Sequence, residues 1–154
     1  MIDLDHIHPM LVHFPLVLLP IAVLLDWFIL VKGGDLASSK GLSLVSASAW
    51  GLAAVISILV VIFGDIAFDA ALGKGFPKPP LEEHEEFGMT TFWIIVGLAL
   101  VRLLAMWRGI SLKGLRGYGF ALGGVVMVAL LITTAFYGGE LVYSLGVNVD
   151  AVKP

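Results

Sequence analysis

The chain has 154 residues, no cysteine, a net charge of −3 and 59% hydrophobic residues, where about 45–50% is usual for a soluble domain. Disulfides, thiolate metal sites and cysteine-attached haem are thereby excluded, and no basic surface is left for nucleic acid. One domain's worth of chain is expected, and it belongs in a lipid bilayer.

Four apolar stretches predict transmembrane helices over about 10–31, 42–64, 84–107 and 118–138. Each reaches the roughly 20 residues that cross a hydrocarbon core of about 30 Å. The expected fold is all-α: a single integral membrane domain of four antiparallel helices, with a loop over 65–83 and a tail over 139–154.

Asp3 and Asp5 precede the first apolar stretch without any Lys or Arg. A cleaved signal peptide begins with positive charge, so none is expected. His6-Ile7-His8-Pro9-Met10-Leu11-Val12-His13-Phe14-Pro15 leads into the first helix and holds three of the four histidines. Histidine repeated at a membrane boundary is a site hypothesis in itself. Pro15 falls in the first helical turn, where proline does no harm, whereas Pro20 predicts a kink.

The first hairpin loop carries Lys32 and Lys40 against Asp35; the second carries Arg108, Lys113 and Arg116 with no acid. The positive-inside rule therefore puts both hairpin loops in the cytoplasm and both termini outside. All four histidines then belong to the periplasmic or extracellular face. Between the loops, Ser43, Ser46, Ala47, Trp50, Ala54 and Ser57 form a small-residue stripe on the second helix. Close helix packing explains such a stripe, and so does a border to a flat cofactor.

The middle loop contains Phe76-Pro77-Lys78-Pro79-Pro80, after a possible short interfacial helix over 67–72. Leu81-Glu82-Glu83-His84-Glu85-Glu86 then reads as the first turn of the third helix, its acids offsetting the helix dipole. His84 gains nothing from that dipole. Eighteen residues on, a whole number of turns, Arg102 lies below His84 by roughly 27 Å. Asp26 is at a comparable depth, so an Asp26–Arg102 ion pair is one reading and a snorkelling Arg102 the other. The fourth helix holds Gly119-x-x-x-Gly123, which suits a close contact within the bundle or in a homo-oligomer. It is expected to end at Gly138-Gly139, with Glu140 and Tyr143 able to reach toward the histidines.

The boundary thus gathers His8, His13, His84, Glu140 and Tyr143, with His6 and Asp65 near. A b-type haem needs two neutral imidazoles about 4 Å apart across its iron, a demand met by His13 and His84, with Met10 or Met89 as other axial candidates. A divalent metal would draw on His13, His84, His8 and Glu140. A quinol site would use His and Glu as proton acceptors against apolar walls. Interfacial anchoring of the same side chains is the structural alternative.

His8-Pro9-Met10-Leu11-Val12-His13-Phe14-Pro15, Asp26, His84 and Gly138-Gly139-Glu140-Leu141-Val142-Tyr143-x-x-Gly146-Val147 resemble DUF2231, a family of bacterial four-helix membrane proteins catalogued as a domain of unknown function. The resemblance covers nearly the whole chain. In related chains the module looks to be joined at times to Rieske-type or cytochrome-like domains, which implies membrane electron transfer to a partner protein or quinone. The leading expectation is a redox module with haem b on His13 and His84. Its alternative is a metal-binding or structural subunit of a larger membrane complex. Whether the protein is an enzyme stays open.

Overall fold

A computed structural model describes residues 4–149. A 3-10 turn at Leu4–His6 leads into α1 (Ile7–Leu11), α2 (His13–Val31), α3 (Gly41–Gly73), α4 (Lys78–Arg108) and α5 (Gly114–Tyr143). Among the described residues there is no strand. Four helical segments are long and apolar enough to cross a membrane: Leu4–Val31, Gly41–Gly73, Lys78–Arg108 and Gly114–Tyr143. The fold is an all-helical membrane bundle.

The helices pack in a ring. α2 and α4 each contact both α3 and α5, while α2 and α4 face each other across a diagonal, as do α3 and α5, with no Cα pair within 8 Å. Leu19, Val23, Trp50, Ala53, Ile95, Ala99, Ala121 and Met127 fill the centre. Large apolar side chains such as Leu24, Val31, Trp93 and Leu122 point outward, and the buried groups include Asp26, Ser46 and Arg102. That distribution suits a hydrocarbon surround, where outward leucines cost nothing and polar groups must pair inside.

Prolines set the break between α1 and α2. Pro15 has no N–H for the Leu11 carbonyl one turn back, and the helix interrupts at Val12. Pro9 likewise leaves the Asp5 carbonyl without a helical donor, and the Asn148 side-chain amide donates to it at 3.1 Å. Pro20 sits inside α2 without ending it.

The helices run longer than the sequence suggested. α3 continues through 65–73, where a loop with a separate interfacial helix was expected, and spans 33 residues or about 50 Å. α4 begins at Lys78 with prolines in its first turn, so His84 lies in its second turn. Gly138-Gly139 do not end α5, which carries on to Tyr143. Apolar stretches mark only the part in hydrocarbon, whereas a helix already formed extends through polar residues at no further nucleation cost. A second cluster, Ala71, Phe76, Leu81, Leu141 and Val147, closes the end that carries the termini.

The hairpin loops are joined at the other end. The Asp35 carboxylate accepts from the Ala37 and Leu112 amides at 2.9 Å each and from Ser111 Oγ at 2.8 Å. One half-buried acid thereby ties the 32–40 loop to the 109–113 loop.

Candidate functional site at the termini end

His8 reaches its position because α1 lies against α3. Its Nδ1–H donates to the Val60 carbonyl at 2.9 Å, which fixes the tautomer and leaves Nε2 with its lone pair. The ring rests on Gly64, where an added Cβ would come within 3.2 Å of Nδ1. From the diagonal position, α4 sends His84 toward it. The two ring centroids are 6.1 Å apart, with planes nearly perpendicular at 86°.

His84 rests in turn on α5. A Cβ on Gly138 would come within 2.9 Å of its Cε1, and the Thr134 carbonyl stands beside the ring. Its Nδ1 is buried with no hydrogen-bond partner in the structure. A buried polar atom left unpaired costs about 1–3 kcal/mol, so this nitrogen is suited to an incoming ligand or proton donor. Below the pair, Thr91 and Thr134 hydroxyls share a bond of 2.8 Å. On one flank α3 touches both α1 and α4; on the other, α5 touches α4 but has no Cα within 8 Å of α1. There the Asn148 side chain bridges to the turn before α1 through the Asp5 carbonyl.

The other expected members sit elsewhere. His13 is exposed, and its Nδ1–H donates to the Pro9 carbonyl of its own segment at 2.6 Å. The imidazole facing His84 is that of His8: Val12 keeps helical dihedrals, and five residues of helix put His13 about 140° around on another face. Tyr143 is 91% exposed. Glu140 is exposed as well, in a shallow groove with Pro80, Glu83, Tyr137 and Ser144, where Tyr137 stacks on Phe87 at 4.7 Å. Asp65 is exposed and His6 half-buried. Among the described residues no three His, Asp or Glu side chains converge on a common point. A four-ligand zinc centre of His8, His13, His84 and Glu140 is therefore not assembled.

The hairpin end holds a second polar cluster. Asp26 and Arg102 are both fully buried, with Arg102 Nη2 3.4 Å from Asp26 Oδ1. Ser46 Oγ and Trp50 Nε1 donate to the same carboxylate at 2.5 and 2.9 Å, and Arg102 Nη2 also reaches the Ser43 carbonyl at 3.1 Å. The serine and tryptophan of the small-residue stripe thus serve Asp26 rather than a cofactor border. Gly119 has open space beside it, and Gly123 contacts Leu98.

Sequence reasoning missed Val60, Gly64 and Asp35. Glycine at 64 and at 138, each opposite a histidine in the same bundle, was the available signal. Residues 5–151 match the model of a family described as a predicted membrane protein, DUF2231. No curated protein and no solved structure matches the chain.

Proposed function

The chain belongs to the DUF2231 family of predicted membrane proteins, and we propose that it is an electron-transfer module whose His8 and His84 hold a b-type haem at the outer face of a bacterial inner membrane. The observation that carries this reading is the separation of the two imidazoles. Bis-histidine ligation needs nitrogens about 4 Å apart across the iron, hence ring centroids near 6 Å, and the observed value is 6.1 Å. The Val60 carbonyl holds His8 Nδ1, the second-sphere bond that orients a ligating imidazole and raises its basicity. His8 takes the role that the sequence suggested for His13. When bound, haem would supply a one-electron couple; the chain's own part is to orient two neutral nitrogens in an apolar wall.

The Lys32, Lys40, Arg108, Lys113 and Arg116 charges at the hairpin end favour that end in the cytoplasm, with both termini periplasmic. A second reading is quinol oxidation with the same imidazoles as proton acceptors. The unpartnered His84 Nδ1 favours it, as a group that a quinol hydroxyl would meet.

Absorption spectra of the purified protein, oxidised and reduced, test the proposal. Low-spin haem bands are expected, lost in His8→Ala and in His84→Ala and kept in His13→Ala. Bands that survive either of the first two changes refute the ligand assignment. No haem band together with quinol binding that depends on His84 selects the second reading. Neither signal leaves a structural subunit of a larger complex.

A further inference from the structure

The two halves of the chain repeat each other. Eighteen residues separate His8 from Asp26, and eighteen separate His84 from Arg102. A shift of 76 positions carries buried residues of α2 onto buried residues of α4: Leu19 onto Ile95, Val23 onto Ala99, Asp26 onto Arg102, Ile29 onto Ala105. The helix ends match as well. Gly33 and Gly109 both have positive φ, 73° and 65°. The bonds Gly33 N–H to Leu30 and Gly34 N–H to Ile29 recur as Gly109 to Met106 and Ile110 to Ala105.

The next helices open alike. Lys40-Gly41-Leu42 returns as Lys113-Gly114-Leu115, each lysine an extended N-cap and each glycine at positive φ, 58° and 52°. Along α3 and α5 a shift of 74 carries Ser43, Ser46, Ala47, Trp50, Ala53 and Ser57 onto Gly117, Phe120, Ala121, Gly124, Met127 and Leu131, all buried. Equivalent helices occupy the diagonals of the ring. The two hairpins are therefore related by a pseudo-two-fold axis along the bundle, a parallel repeat of the kind found in transporters. Residues meeting on the axis are each other's equivalents: His8 with His84 at one end, Asp26 with Arg102 at the other, and between them Trp50 against the notch at Gly124.

The same shift of 74 carries Val60 and Gly64 onto Thr134 and Gly138. Each imidazole thus lies in a glycine notch one turn beyond a backbone carbonyl. We propose that Gly64 and Gly138 are positioning residues, equivalent notches that seat His8 and His84 on opposite sides of the axis so that both halves grip one ligand. The ligand class would be a single metal centre taking one imidazole from each half. That class rests on the redox reading above, whereas the positioning by the glycines does not.

The test uses the full-length protein in lipid nanodiscs, with histidine ring 15N resonances as the readout. Gly64→Ala is expected to move the resonances of His8, and Gly138→Ala those of His84. A smaller change should pass to the opposite ring through their contact. Gly73→Ala and Gly88→Ala, where a Cβ meets nothing within 4 Å, should leave all four histidines in place. A ring that stays unmoved in either of the first two variants overturns the proposal. If Gly138→Ala does not fold, Gly138→Ala with His84→Ala removes the obstructing ring and should fold; a second failure overturns the notch. Absence of a haem band in the unmodified protein sinks the redox reading while the ring shifts still decide the positioning. A band present and unchanged in both glycine variants refutes the grip of both halves on the metal.

Discussion

Replacing Asp26 by leucine should be the most damaging single change at the hairpin end. The carboxylate accepts from Ser46, Trp50 and Arg102 at 2.5, 2.9 and 3.4 Å. Its loss leaves Arg102 with only the Ser43 carbonyl, since Nε and Nη1 already lack partners. Stranding a buried charge costs about 3–5 kcal/mol. The unfolded helix offers relief, because Arg102 is six residues, about 9 Å, from the end of α4 and can snorkel there. The unfolded unmodified chain has the same relief, so it leaves that cost unchanged. In the double change Asp26→Leu with Arg102→Met, the Ser46 hydroxyl keeps the Ala22 carbonyl at 3.3 Å and the Trp50 N–H stays unpaired, a loss of about 1–3 kcal/mol. The double variant should therefore be more stable than the single Asp26→Leu. Reversible unfolding by SDS in mixed micelles, run as a double-mutant cycle, measures the coupling. Polar contacts between membrane helices average about 0.6 kcal/mol. A coupling no larger than that would refute the idea that a fully buried ion pair locks this end.

Trp50→Phe keeps the ring against Phe120 but removes the N–H bond to Asp26, and should cost about 1–2 kcal/mol by the same unfolding assay. Asp35 lies in the loop between the first two long helices. Burial works to raise its pKa, but the bonds from Ser111, Ala37 and Leu112 and the charge of Lys113 outweigh it and hold the carboxyl below its usual value. A depressed carboxylate stabilises the fold above its ordinary pKa of about 3.9, and that stability is lost as pH falls through the folded-state value. Thermal stability should therefore drop below about pH 4 in the unmodified protein and drop less in Asp35→Asn. A reporter fused after Pro154 should register outside the cytoplasm; cytoplasmic activity would reverse the proposed sidedness.

Local pattern was enough for what lies along a single helix. Apolar runs of membrane length identified four crossings, and the spacing from His84 to Arg102 put the arginine near the far end of its helix. Those readings depend on composition and a fixed rise of 1.5 Å per residue, which no tertiary contact changes. Helix limits were less legible, because Asp65 and Asp69 interrupt the apolar run of α3 and Gly138-Gly139-Glu140 that of α5, yet both helices continue past them.

Facing relations were decided by the tertiary structure. Whether His8 or His13 meets His84 turns on which face of the first segment α3 receives, since five residues of helix set the two rings about 140° apart and α1 settles against α3 on the His8 side. Asp35 looked like a lone acid among lysines until two distant loops met around it. The repeat was present in the sequence, in Lys-Gly-Leu at 40–42 and 113–115 and in two spacings of eighteen. It remained hidden because burial reuses positions while side chains diverge: Asp opposes Arg, and Trp50 fills the space that Gly124 leaves. Where two equivalents meet in the packed interior, complementary volume or opposite charge serves better than identity, as with Trp50 and Gly124 or Asp26 and Arg102.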